Sequence, residues 1–584
     1  MNQKKPIIYA LISFALFFIA SFYITYPLLF HLGDRVTGFG DELLIAWIQN
    51  WVIHSLMTKP FGVFDSNLYY PYHNTLAYTE TFMVTSILAI PAKFIVGEPI
   101  ATVNFTLFSS IILFGFSIYL LCFYLTRNFF VSLFSGMLVV FSPAVLDCTT
   151  ALQFLSIECV PLAILFFLHF MKTRRSRYLG ISLLFFVLQM YNSIQPGFMI
   201  AFSYAVILLI YSKKYKKKMQ QFISIKNSIL LAIAFIPVVV IANPYFFVAH
   251  QFHYSRDIRD SIHFALQPED FLYPGSATRL HDILLSTIST NQYSQNGEFH
   301  AGYLGVVFTL LVIFVFGYII RNFRKIDYTL AVFLCIALVG LVLSLGPFLH
   351  LGRHTIHKPF PIPLPYALFY YILPGFSGLR DSARWNLFFI IGMAATIALI
   401  LDRLLQKYSV KTRIIIYVLL LFGVIVEYNF PMKFYPISPF RNSPPVYSWL
   451  ATTPSYSTTI EMPIYNWNSY PFLSYDQKRV YYSIANFRRT VNGASGFSPP
   501  PWQKLVTSLN VNFPSKGSIN ELNQLGVDYV IVHTNEYENC SKTAICGHEK
   551  NKDGKGIIKL IIQSHSFKLV KQFKNTYIFK LSSS

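Results

Sequence analysis

Apolar runs of about 20 residues recur through the first 429 positions of this chain. Each is long enough, as a helix rising about 1.5 Å per residue, to cross a hydrocarbon core about 30 Å thick. A water-soluble fold has no interior for so many of them. The composition agrees: 54% of the 584 residues are apolar and 12% charged, against about 25% charged in a typical soluble chain. The expected fold class is a polytopic α-helical membrane protein over 1–429, with a small C-terminal α/β domain over 430–584. Its first partner is the lipid bilayer.

The formal charge of +21 does not point to nucleic acid, because a nucleic-acid binder gathers its charge on one face or tail. Here Lys and Arg fall in short clusters between apolar runs, where they act as topology signals and as contacts for anionic lipid. Lys4 and Lys5 precede the first run, Ile7 to Phe30, which has no small-residue cleavage site after it and is expected to stay as a helix with the N-terminus inside. The stretch 81–96 is short and carries Pro91 and Lys93. If it crossed, the basic clusters at 172–177, 213–218 and 321–325 would all lie outside, so it is expected to lie in the interface.

About eleven spans follow, at 7–30, 101–126, 129–146, 152–171, 178–194, 196–212, 227–248, 302–320, 327–349, 385–405 and 413–429. Three long segments, 31–100, 249–301 and 350–384, then share the outer side with the tail. Loops of this length are usually functional.

Beyond Asn429 prolines, glycines and charges rise, and no stretch is able to span a bilayer. Thr458 to Pro463 and Val527 to His533 read as buried strands, Trp502 to Leu509 and Ser518 to Leu525 as short helices, and 567–573 with 576–581 as a hairpin around Lys574-Asn575. Glu461, Asp528 and His533 stand singly in the sequence and read as structural. Asn492-Gly493 and Ser495-Gly496 read as turns, and the Pro499-Pro500-Pro501 run as a stiff connection. Cys540 and Cys546 share a polar loop and form a disulfide if the domain faces an oxidising compartment. The other four cysteines sit in or beside apolar runs as small hydrophobes.

Asp41 and Glu42 open the run LLIAWIQNW, in which Leu43, Leu44, Trp47, Ile48 and Trp51 recur at helical spacing, so the two acids head an amphipathic helix. Capping and the helix dipole alone favour acids there. Downstream come Tyr69-Tyr70-Pro71-Tyr72-His73-Asn74 and then Thr79-Glu80, which opens the second juxtamembrane helix; the same structural explanation applies to Glu80. The basic residues on the outer side are Arg256, Arg259, Arg279, Arg353, Lys358, Arg380 and Arg384. Arg380 and Arg384, four apart, share one face of any helix and either bind phosphate or anchor to headgroups, with Asp381 placed to pair with one of them. Glu298 and His300 form a further polar cluster before the eighth span. Gln153, Gln189, Asn192 and Gln195 gather at the outer ends of the fourth to sixth spans, where they either line a cavity or bond helix to helix.

Taken in order, a first span, an acidic pair opening a juxtamembrane helix, a Tyr/Pro-rich turn, a second juxtamembrane helix and a span ending YLLCFYLTR at Arg127 resemble the GT-C superfamily. They are especially similar to the mannosyl, aminoarabinosyl and RgtA-like bacterial transferases. The likeness covers about 1–250; GLRDSARWNLFF resembles a later segment of such proteins, and VNGASGFSPP and LGVDYVIVH resemble tails of uncharacterised bacterial members. The acidic pair is a short motif, and its position relative to the spans carries the match.

The resemblance implies an inverting glycosyltransferase that moves a hexosyl or pentosyl group from a polyprenyl-phosphate donor to a glycan, lipid or protein acceptor. The setting it implies is a bacterial inner (plasma) membrane with the site and C-terminal domain extracytoplasmic. It implies Asp41 as base, Glu42 in support and Glu80 orienting the acceptor. Arg256, Arg259, Arg380 and Arg384 would meet the leaving phosphate, and Tyr70, His73, Asn74, Gln153, Glu298 and His300 would line the substrate cavity. A divalent metal is compatible with the class, but no local spacing brings oxygen ligands together; no other cofactor is expected.

Two other functions compete. A transporter or flippase of lipid-linked saccharide would place ionisable groups near the bilayer midplane and show internal repeats, whereas here the carboxylates gather at the outer interface. A non-catalytic assembly protein would use the C-terminal domain to dock a partner.

Overall fold

A computed structural model describes residues 4–215, 224–272, 302–351, 354–355, 361–428, 432–454, 456–466, 469, 472–540, 543–546 and 553–582. The chain forms two compact units. One, here the helical unit, comprises Met1–Phe30, Thr106–Asn243 and Tyr254–Lys433; the other, the mixed unit, comprises His31–Phe105, Pro244–His253 and Phe434–Ser584. The first outer segment and the C-terminal domain therefore belong to one folded body.

All eleven expected runs are helical. Seven helices among the described residues are long and apolar enough to cross a bilayer: Pro6–Thr25, Ala101–Thr126, Leu152–Thr173, Ile194–Lys214, Ile225–Phe252, Val306–Lys325 and Ala383–Leu405. The other four fall short for separate reasons. Phe129–Val140 and Pro143–Thr149 are bent by 52° at their junction, where Pro143 has no N–H for a continuing helix and the Ser142 hydroxyl donates instead to Leu304 O at 3.0 Å. Ser176–Asn192 and Tyr328–Ser344 have 17 residues, and Val410–Glu427 carries Lys411, Arg413 and Glu427.

Within the helical unit, Asn386 to Asp402 is buried on every face. Helix Tyr328–Ser344 packs on it backbone to backbone, because a Cβ at Gly340 would meet Phe389 N at 2.2 Å. Small residues at membrane helix contacts permit this approach.

In the mixed unit the stretch 81–96 is two short helices, Met83–Leu88 of 6 residues and Ile90–Val96 of 7, and neither has the length to cross a bilayer. Helix Asp41–Thr58 differs from expectation: Glu42 to Ile53 is buried on all sides, not on one stripe. Its polar residues are satisfied inside. Trp47 Nε1 donates to Asn67 Oδ1 at 3.1 Å, Trp51 Nε1 to Val63 O at 2.8 Å, and Asn50 Nδ2 to Pro99 O at 3.0 Å. The helix is thus the core of the unit rather than an amphipathic surface element.

The C-terminal domain is the expected α/β fold. Its sheet has the order Thr459–Met462, Tyr529–His533, Thr576–Leu581, Phe567–Phe573, with the first pair parallel and the others antiparallel. Val446, Tyr447, Leu450, Ile531 and Ile578 form a core on one face. One reading of its loops changes. Pro500 and Pro501 open helix Pro500–Asn512, since a missing N–H costs nothing in a first helical turn. Cys540 and Cys546 are disulfide-bonded.

Candidate functional site

The acidic pair at the head of helix Asp41–Thr58 is divided by environment. Asp41 is exposed and Glu42 buried. Glu42 accepts from the Thr37 hydroxyl at 3.2 Å and from Gly40 N at 3.3 Å. Burial raises its pKa, the neighbouring Asp41 charge adds to this, and backbone and Thr37 hydrogen bonds oppose it. No side chain caps the helix. Glu42 therefore shapes the entering loop, and Asp41 is the exposed carboxylate of the pair.

The Tyr/Pro-rich turn follows on the same unit. Tyr70 is half-buried, donates its N–H to Thr490 O at 2.9 Å and lies under the Arg489 guanidinium at 5.6 Å. His73 and Asn74 are both held by Asp65, through Nδ1 at 3.4 Å and the backbone N–H at 2.9 Å. Glu80 lies three residues before helix Met83–Leu88 rather than in its first turn, so helix capping does not account for it. Tyr245 donates to the adjoining Thr79 O at 2.9 Å.

The four arginines expected to meet the phosphate all lie in the helical unit and separate into two kinds. Arg384 is buried against Asp147 at 2.9 Å and Asp381 at 3.0 Å. Arg259 makes an exposed pair with Asp257 at 2.6 Å. Arg256 lies within electrostatic reach of Arg380: burial lowers the pKa of Arg256 and the Arg380 charge adds to that, against the opposing pull of Tyr254 and Asp260. Arg380 is exposed and stacks over Phe264 at 4.6 Å. Two guanidinium groups within electrostatic reach of each other, one of them exposed, suit an anion.

Of the outer-end amides, Gln189 and Asn192 donate to Ser156 O, each at 3.3 Å, and Gln195 to Asp381 O at 3.0 Å; they tie helices and loops together. Gln153 is half-buried in the turn Leu152–Leu155. Glu298, His300, Arg279, Arg353 and Lys358 lie outside the described residues.

No protein-family model matches the sequence, and no curated protein does. Among solved structures, the chain is similar to an arabinofuranosyltransferase, AftD, from Mycobacteria, at TM-score 0.50 and 12% identity. The match covers 98% of this chain and 40% of that one, so this chain spans about two fifths of its length. It also aligns with the oligosaccharyltransferase AglB of Archaeoglobus fulgidus, a structure in complex with an inhibitory peptide and a dolichol-phosphate, at TM-score 0.44 and 11% identity over 100% of this chain and 75% of that one. The chain shares the fold of the arabinofuranosyltransferase AftD.

This fold holds two polar features that sequence reasoning passed over. Glu158 interrupts the apolar stretch Leu152–Thr173; it is buried, and its Oε2 has no hydrogen-bond partner among the described residues. The signal was an ionisable residue inside a span, which marks function by default. The second lies in the C-terminal domain, where Glu461 and His533 do not stand singly. His533 Nε2 meets Glu461 at 2.8 Å, and the buried Arg479 reaches Glu461 at 3.6 Å, Asp476 at 2.8 Å and Glu536 at 2.6 Å. The Arg479–Glu536 and His533–Glu461 contacts join residues 57 and 72 positions apart in sequence, which leaves no local motif. Among the described residues, no three His, Cys, Asp or Glu side chains gather as a metal site.

Proposed function

We propose that the protein is an integral membrane glycosyltransferase that transfers a hexosyl or pentosyl group from a polyprenyl-phosphate-linked donor to an extracytoplasmic glycan, lipid or protein, with inversion. The observation that carries this reading is the division of the acidic pair within a GT-C fold: a buried Glu42 holding the loop and an exposed Asp41 beside it. Asp41 takes the proton of the acceptor hydroxyl or amine as that atom bonds to the anomeric carbon. The bond from that carbon to the phosphate oxygen breaks, and the lipid phosphate leaves with the electron pair. Arg256 and Arg380 are the groups for that phosphate. Glu80, with Tyr70, His73 and Asn74, orients the acceptor.

The experiment is mass spectrometry of envelope glycans and lipids in cells with and without the protein. A mass difference of one sugar names reaction and product. Asp41→Asn should abolish that difference, because loss of a general base costs about 10²–10⁴ in rate. Full product with a folded Asp41→Asn protein would remove Asp41 from the role. The alternative, a transporter or flippase of lipid-linked saccharide, draws on Glu158 within a span. It requires that no new glycosidic bond form.

A further inference from the structure

Tyr69 has φ +58°, an outlying conformation for a bulky side chain that persists only where the surroundings over-determine it. They do so here. Tyr69 is fully buried, with its ring edge-on to Tyr78 at 5.2 Å and to Trp502 at 5.0 Å. Its hydroxyl meets Ser495 Oγ at 3.4 Å and Ser498 Oγ at 3.3 Å, and its N–H donates to Asn492 O at 3.1 Å. The remaining face is closed by Gly493: a Cβ there would lie 2.4–2.6 Å from three ring carbons. Gly493 has no positive φ, so glycine is required there by the ring and not by a turn. The sequence reading of Asn492-Gly493 as a turn is corrected accordingly.

The contact extends on both sides of Tyr69. Thr490 N donates to Asn67 O at 2.8 Å and Tyr70 N to Thr490 O at 2.9 Å, while Val491 N donates to Thr459 O at 3.0 Å. Residues 67–70 thus lie along 488–492, which lie along strand Thr459–Met462. Asn492 is itself fixed from inside the domain. Its Oδ1 accepts from Glu461 N at 2.7 Å, and its Nδ2 donates to Glu461 O at 2.9 Å and to Asp476 Oδ1 at 3.2 Å. Asp476 is the carboxylate held by Arg479 at 2.8 Å.

We propose that Tyr69, Asn492 and Gly493 are positioning residues, through which the C-terminal domain dictates the conformation of the 70–80 segment that carries Tyr70, His73, Asn74 and Glu80. The chemical consequence rests on the glycosyltransferase reading; the mechanical one does not. A methyl at 493 has to displace a rigid ring whose other faces are occupied. The displacement passes into the backbone at 69 and so into the residues that follow.

The test uses the full chain in lipid nanodiscs and compares Gly493→Ala with Gly517→Ala, since Gly517 has ordinary space for a Cβ. Gly493→Ala should speed amide hydrogen exchange of Tyr69, Tyr70, Leu76 and Ala77 by about tenfold, as expected for overpacking, with strands Tyr529–His533 and Thr576–Leu581 unchanged. The sugar-modified product per protein molecule should fall by about tenfold or more, because small misplacements near a reacting centre are costly. Tyr69→Phe, which keeps the ring and its backbone, should retain product, and in a Tyr69→Ala background the Gly493→Ala change should add little.

Unchanged exchange at 69–77 would overturn the proposal. So would faster exchange spread equally over the sheet, which would mean a merely structural glycine, or full product despite a loosened 70–80 segment. A wild-type protein that transfers no sugar would sink the glycosyltransferase reading and leave the exchange results to judge the coupling alone.

Discussion

Replacing Arg479 with Met tests whether the C-terminal domain is organised around a buried cation. The guanidinium is 5% exposed, contacts Glu461, Asp476 and Glu536, and donates to Pro463 O at 2.7 Å. Met matches its length and removes the charge. Breaking a buried pair costs about 3–5 kcal/mol, because the abandoned charge stays desolvated. Here three carboxylates are abandoned, with His533 beside only one of them. At roughly 2–4 °C per kcal/mol for a body of this size, the midpoint should fall by roughly 6–20 °C.

Tryptophan fluorescence is a suitable probe, since among the described residues Trp47, Trp51, Trp449 and Trp502 lie in the mixed unit and Trp385 in the other. The sign with pH is also fixed. Without the cation, the pull that opposes burial at the Asp476 carboxyl is lost and its pKa rises further, and a raised acid gives up stability as pH rises through its folded value. The deficit against wild type should therefore be larger at about pH 7.5 than at about pH 5. A loss under about 1 kcal/mol, the scale of an exposed pair, or a deficit that grows on acidification, would refute the reasoning.

Other consequences follow from single groups. Arg256→Ala and Arg380→Ala should each raise the KM for the donor by about tenfold, the effect of one charge-assisted contact, while Arg259→Ala, whose charge is already spent on Asp257, should leave it unchanged in steady-state assays. Burial pushes the Asp476 carboxyl up to about 6 against the opposing pull of Arg479. The stability this contributes is full below the ordinary value of 3.8 and is lost as pH rises through about 6. Asp476→Asn should flatten that slope, worth on the order of 3 kcal/mol, in a pH series of unfolding midpoints. Glu158→Gln should leave the midpoint unchanged or higher, since a buried charge is exchanged for an isosteric amide, yet lower the product per molecule; undiminished product would deny the carboxylate a role.

Much of the membrane architecture was legible because length and apolarity are properties of contiguous sequence. The clearest case is 81–96: Pro91, Lys93 and the positive-inside rule argued against a span, and the fold makes it two helices of 6 and 7 residues. The misreadings share a cause. Helix Asp41–Thr58 shows helical spacing of its apolar residues, but whether Gln49 and Asn50 face water or a partner is decided by Thr85, Pro99 and Thr102, which no local pattern announces. Pro499–Pro501 reads as an extended rod by composition, and the first turn of a helix tolerates the same residues.

The candidate site divides along the same line. Asp41 and Glu42 were found by position, but which is buried and which is open depends on Thr37 and Gly40 folding back over one of them. Arg380 and Arg384 looked equivalent because helical spacing places them together. Asp147 and Asp381 claim Arg384 and leave Arg380 with Arg256, 124 positions away in sequence. Gly493 carries the same lesson furthest. Glycine after asparagine signals a turn wherever backbone freedom is what glycine supplies. At 493 it supplies absence of volume instead, and the volume it spares belongs to Tyr69, more than 400 positions earlier. A residue selected for what it leaves out has no signature in its own neighbourhood, so the coupling of the 70–80 segment to the C-terminal domain could be read only once both were folded.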